Sequence, residues 1–362
     1  MKRLVYFLLL LLTMATPCAA RDGQLWTQVG AEELERAGER YGAQTRLSES
    51  ASLEDGLTRV AESVSRAVPQ LVGEGVKSAL RLLAVVLLCA LIHSMHDVGS
   101  GTGLDAVTAA GSLAIAALAV QDMDAMLGLG QVTVENMHGF GQVLLPVMAA
   151  CTALSGAPAS AAARQVATAV CSNLLLGLID RVLLPMVYAY VAVGTAYAVL
   201  GNPGLKRLMD IFKGVTTWTL TTVLVVFVSY LSAGGAVAGN TDAAALKAAK
   251  MTISTVIPVV GRILSDAAQT VLAGAGLLKN TVGVFGMVTV LSLCVVPFVR
   301  LGVHYLSYKV SAMLAGTVAQ GRLAELISAV GTAFALVLGM TGTSAILLLV
   351  SVVAGVSGVS GA

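Results

Sequence analysis

From Gly214 to Thr241 the chain runs without a charged side chain, and from Leu326 to its last residue it does so again. About 20 apolar residues are enough for a helix to cross the hydrocarbon core of a bilayer. Inside that core every backbone N–H and C=O must be satisfied within the chain, which leaves helices or closed barrels. The runs here are helix-length, not short and alternating, so they predict helices. Similar runs occupy Ser78–Met95, Leu104–Gln121, Gly141–Ala157, Val166–Ile179, Val182–Leu200, Gly214–Ala238, Thr281–Val299 and Leu326–Val356. The expected fold class is therefore all-α, a polytopic integral membrane helical bundle of six to eight spans. Val166–Ile179 is short and reads either as a span or as half of a re-entrant pair around Asp180-Arg181. The last run fits one tilted helix or two short ones hinged at Gly339–Gly342. Hydrophobic residues make up 57% of the chain and charged ones 12%, and 22 basic against 20 acidic residues leave a net charge of +2. That balance offers no basic field for nucleic acid.

The first 20 residues read as a cleavable signal peptide. Lys2 and Arg3 supply the basic start, Leu4 to Leu12 the apolar core, and Cys18-Ala19-Ala20 small residues before a cut ahead of Arg21. Pro17 before Cys18 spoils a lipobox, so lipidation is not expected. Residues 21–77 form the one long polar segment. Glu32-Glu33-Leu34-Glu35-Arg36 and the stretch from Glu54 to Val76 look helical. Following a signal peptide, this segment is expected to be extracytoplasmic. It has too few large apolar groups to fold alone and is expected to dock on a partner or on the membrane surface. Residues 78–362 are the membrane domain. With 21–77 outside, the positive-inside rule places Arg164, then Lys206, Arg207 and Lys213, then Arg300 and Lys309 in the cytoplasm, with Asp122, Asp124 and Glu135 outside.

Catalysis has little to rest on. His93-x-x-His96-Asp97 puts two imidazoles on one helical face without a further ligand set, and reads as an interfacial polar cap. Cys89, Cys151, Cys171 and Cys294 sit singly in apolar runs and read as small packing residues. No nucleophile–base set, phosphate-cradling loop or paired intramembrane carboxylate stands out. No enzyme activity, metal or cofactor is expected. Leu144-Leu145-Pro146, Leu183-Leu184-Pro185 and Val295-Val296-Pro297 echo one another, and proline within a span favours a kink.

One polar stripe is the exception. Pro258 sits well at a helix start. Beyond Gly261, the residues Arg262, Ser265, Asp266 and Gln269 fall at i, i+3, i+4 and i+7 on an otherwise apolar helix. Arg262 and Asp266 are one turn apart and can neutralise each other, which matters because a central charge in lipid costs about 2.5–3.5 kcal/mol. Lys279-Asn280 reads as the turn before the next span, with Gly283 beyond it. The stripe can line an aqueous path, form a buried helix contact or lie solvated in the interface.

The segments Ile257-Pro258-Val259-Val260-Gly261-Arg262, Ser265-Asp266-Ala267 and Leu278-Lys279-Asn280-Thr281-Val282-Gly283 resemble the core of the stage III sporulation protein AE family, with the likeness carried by residues 246–301. The resemblance implies a polytopic membrane subunit of a secretion-like channel, or feeding tube, between mother cell and forespore. That complex is required for endospore formation and late forespore gene expression. The implied location is the mother-cell-derived outer forespore membrane. The implied partners are other stage III sporulation A-operon proteins, namely ring-forming and ATPase components, together with a forespore-side partner. The alternative is a stand-alone secondary transporter for a small solute, against which the near absence of charge in the spans counts.

Overall fold

The structure, a computed structural model, describes residues 30–41, 53–96, 101–256, 260–318 and 321–357, with the backbone alone over most of 234–275. Every extended element among them is helical. We number them α1 (Ala31–Arg40), α2 (Leu53–His96), α3 (Gly101–Leu154), α4 (Pro158–Leu178), α5 (Leu184–Leu200), α6 (Pro203–Val256), α7 (Val260–Val318) and α8 (Gly321–Ser357). A π-helical turn, Ile179–Leu183, fuses α4 and α5 into one rod. Six stretches of the described residues are long and apolar enough to cross a membrane: Leu53–Ile92, Ala106–Leu154, Pro158–Leu200, Pro203–Ala233, Gly276–Val318 and Gly321–Val356. The chain is an all-α polytopic bundle, as the apolar runs require.

The runs group differently from the spans expected above. Leu104–Gln121 and Gly141–Ala157 lie on the single helix α3, because the polar residues between them contain no proline and find partners on neighbouring helices. Asp122, Asp124 and Glu135 are therefore helical residues and not loop acids. Val166–Ile179 and Val182–Leu200 form a continuous rod, not a re-entrant pair. Pro185 explains the π turn: it has no N–H, so the carbonyl four residues before it loses its usual donor. The wider turn lets the Leu184 N–H donate to the Ile179 carbonyl just ahead of the proline. The last run is one helix, α8. The boundary between residues 77 and 78 falls inside α2, which runs unbroken from the polar to the apolar part.

Helix α8 forms the centre. Ile327, Val330, Ala333, Phe334 and Val337 on it are completely buried, and it packs against α3, α4, α5, α6 and α7. Helix α2 lies alongside α7 in the same direction, with Gly56 against Val288 and Gly75 against Val303 and Ser307. Helix α1 buries Ala31, Leu34 and Ala37 and packs on α3, where Tyr41 abuts Gly139 and Gly30 abuts Val147. This part of the polar segment thus docks on the bundle itself. Its amphipathic spacing offers one apolar stripe, and that stripe is already covered here.

The turn between α5 and α6 shows how the sequence ends one rod and starts the next. Gly201 takes φ of 68° and donates its N–H to the Tyr197 carbonyl, closing α5. Asn202 Oδ1 then accepts the Gly204 N–H at 2.8 Å, capping a helix that opens on Pro203. Because α4 and α5 cross the bundle once, Arg164 and Lys206 lie at opposite ends. The expected grouping of Arg164 with Lys206, Arg207 and Lys213 is overturned by that single crossing.

Candidate functional site

Of the residues singled out from sequence, Pro258 lies outside the described residues. Gly261, Arg262, Ser265, Asp266 and Gln269 fall on the helical backbone of α7, and their side chains, including any Arg262–Asp266 pair, lie outside the description. Lys279, Asn280 and Gly283 are described. Lys279 and Asn280 form no turn but continue α7, where packing of Leu278, Lys279 and Val282 into the bundle outweighs the weak helix preference of Thr281-Val282-Gly283. Asn280 is exposed, whereas Lys279 is only 3% exposed.

Lys279 marks the point where α3, α4, α7 and α8 meet. Its ammonium feels the charge of Arg164 on α4 and lies near the Cys151 thiol on α3. Gly283, one turn along α7, lets α8 come close: a Cβ there would run into the Val356 side chain, whose branched carbon leaves it little room to turn. Thr168 on α4 and Ser351 on α8, both buried, share a hydrogen bond of 2.6 Å. A cleft of about 20 Å³ opens beside them, lined in part by Thr152, Arg164, Gln165 and Ser351. Such a volume holds a water molecule or one small group.

Further along α3, Gln142 Nε2 donates to His138 Nε2 at 2.9 Å, which leaves the neutral ring its proton on Nδ1 to donate to Ser172 Oγ at 2.9 Å. Next on the rod comes the π turn. Asp180 Oδ1 is buried there without a hydrogen-bond partner among the described residues, and the charges it feels are those of Glu135 on α3 and of its neighbour Arg181. The sequence reading had not brought Glu135 and Asp180 together. The signal available was Asp180 beside a proline-bearing rod, since π turns concentrate at functional positions.

The other end of the bundle is rich in closed polar contacts. Arg300 Nη2 meets Glu74 Oε2 at 2.9 Å between α7 and α2. The Tyr308 hydroxyl donates to Asp122 Oδ2 at 2.8 Å, and its ring stands edge-on to Phe334 with centroids 5.0 Å apart. Tyr188 reaches Asp124 at 3.4 Å. Lys309 Nζ donates to Ser328 Oγ at 2.7 Å, to Thr332 Oγ1 at 3.0 Å and to the Ser328 carbonyl at 3.2 Å. Lys206 pairs with Glu325 at 2.9 Å. Each contact ties two helices where lipid or packed protein would otherwise face a bare charge. Among the described residues no group of three metal-ligating side chains converges.

These features define a class: a polytopic α-helical membrane protein whose polar groups join helices to one another. The sequence model of the stage III sporulation protein AE family matches residues 48–358, and the chain belongs to that family. A curated relative, the stage III sporulation protein AE of Bacillus subtilis (strain 168), is 26% identical over 197 residues, 54% of this chain and 49% of the relative. The match thus spans about half the length of that relative. No solved structure matches the chain.

Proposed function

We propose that this chain is the polytopic membrane subunit of a secretion-like channel complex joining mother cell and forespore, seated in the outer forespore membrane and acting without catalysis. The family places the chain in sporulation. The observation that carries the finer reading is the packed centre: α8 fills the axis of the bundle with Ile327, Val330, Phe334 and Val337. Such a subunit suits a platform, with any conduit formed between it and other subunits. The partners in this reading are the ring-forming and ATPase components of the same complex and a forespore-side protein. Affinity purification from sporulating cells, followed by mass spectrometry, tests it. Co-purification of ring and ATPase components is the expected result, and recovery of a lone homo-oligomer would contradict it.

The stripe of Arg262 and Asp266 enters this reading as an assembly motif. With one partner removed, the other remains as an uncompensated charge, which typically costs about 3–5 kcal/mol when buried. Asp266→Ala is therefore expected to reduce complex recovery and spore yield more than Arg262→Ala/Asp266→Ala. Additive effects in the double-mutant cycle would remove the pair from the mechanism.

One observation favours the transporter alternative: Asp180 on the π turn, whose Oδ1 is buried without a hydrogen-bond partner among the described residues, is the kind of ionisable group that such proteins place inside the membrane. If the protein purified alone, and Asp180→Asn abolished spore formation without lowering the amount of folded protein in the membrane, the transporter reading would replace the channel reading.

A further inference from the structure

We propose that the charged outer face of α2 from Glu54 to Arg66, together with the outer face of α1, forms the wall of an aqueous path at membrane depth. The inference deepens the channel reading by naming the face that meets the conduit, and it rests on that reading.

A chain of contacts fixes the level of that face. Thr168 on α4 is hydrogen-bonded to Ser351 on α8 at 2.6 Å. Three residues back along α8, the Leu348 side chain fills the space over Gly141 on α3. Three residues on along α3, Leu144 does the same over Gly286 on α7. Two residues further along α7, Val288 abuts Gly56 on α2. Helices α3 and α8 run in the same direction, so the first two steps cancel. Gly56 therefore lies within about 5 Å of the level of Thr168, at a rise of about 1.5 Å per residue. Helix α1 sits there too, with Tyr41 on Gly139 and Gly30 on Val147.

At this one level the two sides of the bundle differ. On the α4 side, Val166 and Val170 flank Thr168 and are 62% and 59% exposed, and Ile346 and Val353 on either side of Ser351 are exposed too. That surface suits acyl chains. On the α2 side, Glu54, Asp55, Arg59 and Glu62 lie within six residues of Gly56 and are exposed, as are Glu32, Arg36 and Glu39 on α1. Charged side chains at membrane depth turn away from lipid, toward protein or a water-filled cavity. A protein partner fits poorly, because interface cores are depleted of charge. These charges are moreover matched within their own helices. Arg66 meets Glu62 at 2.8 Å with the two side chains 77% and 64% exposed, and Arg36 meets Glu32 at 3.2 Å. Such open pairs one turn apart belong to a hydrated helix face. Water is the neighbour that remains. Since α8 fills the axis of the bundle, the path runs beside the chain, between it and other subunits.

Thiol accessibility in membranes of sporulating cells, opened to both sides, tests this. With the native cysteines replaced, Glu62→Cys, Arg66→Cys and Val170→Cys are each treated with a charged methanethiosulfonate, which reacts with the thiolate and so with a cysteine in water. Breaking an exposed ion pair leaves the fold intact. Glu62→Cys and Arg66→Cys are expected to react at least about tenfold faster than Val170→Cys. A bismaleimide cross-link between Glu74→Cys and Arg300→Cys, in place of their ion pair of 2.9 Å, should form in the same membranes and fix α2 in this register. Absence of the cross-link would put α2 at another level and overturn the proposal. Glu62→Cys as slow as Val170→Cys would mean a face covered by lipid or protein, and Val170→Cys as fast as Glu62→Cys would mean a level outside the bilayer. Either result would overturn it. Co-purification scored on the same membranes separates the two readings. Slow Glu62→Cys in a recovered complex sinks this inference alone, whereas fast Glu62→Cys in a lone homo-oligomer supports the aqueous face and contradicts the channel reading.

Discussion

The two ends of the bundle hold their described cations differently. At the end formed by the α5–α6 turn and the start of α8, Lys206 has Glu325 and Lys309 has two hydroxyls and a carbonyl. At the end formed by the α3–α4 turn, Lys279 faces Arg164 with no described carboxylate among the charges it feels. Burial sharpens the difference. Lys206 is half exposed and keeps most of its hydration, whereas Lys279 has almost none. A cation left in water needs no protein partner, but one withdrawn from water needs acceptors for its hydrogens. At the first end Lys206 and Lys309 find acceptors within the chain. At the second, the charges beside Lys279 are the Arg164 guanidinium and the Cys151 thiol.

That contrast can be broken first at the core that supports the first end. Phe334 is fully buried and stacks edge-on with both Tyr308 and His304. Phe334→Ala should cost about 3–5 kcal/mol, read as a large drop in unfolding temperature in detergent. Gly283→Val probes the second end by forcing α7 away from Val356. It should cost about 1–3 kcal/mol, read as a lower unfolding temperature in detergent. Tyr308→Phe removes the donor to Asp122 and should cost about 1–3 kcal/mol, the penalty for a polar group left unsatisfied. The smallest effect belongs to Glu325→Gln. Its pair with Lys206 is 54% and 43% exposed, so a change below about 1 kcal/mol is expected, fading with salt. Were Glu325→Gln to cost more than Tyr308→Phe, surface pairing and not interior satisfaction would be what distinguishes the two ends.

The membrane class was legible because it follows from run length and the backbone's need for internal hydrogen bonds, neither of which requires tertiary knowledge. The turn at Gly201-Asn202-Pro203 shows the same kind of local chemistry, with the cap and helix start written in adjacent residues. Span division failed where polarity was taken for a loop. Asp122 and Asp124 look like loop acids until Tyr308 and Tyr188 are brought beside them from distant helices. Lys279 was singled out from its neighbours in sequence, but its burial and its nearness to Arg164 and Cys151 come only with the fold. The nearness of Glu135 to Asp180 was hidden for the same reason, since the two lie on separate rods. Helix α1 illustrates the converse. Its helical character was legible, but which surface would cover its buried side was not, and the chain covers it with α3.

All of this rests on α4, the π turn and α5 crossing the membrane once, so that the two ends face opposite sides. Ala159 and Asn202 are exposed and lie at either end of that rod. With the native cysteines replaced, Ala159→Cys and Asn202→Cys can each be labelled in intact cells by a membrane-impermeant maleimide. The expected result is labelling of Ala159→Cys from outside and of Asn202→Cys only after the membrane is opened, in keeping with the basic cluster around Lys206 facing the cytoplasm. Labelling of both from the same side would contradict the single crossing, and with it the distinction between the two ends.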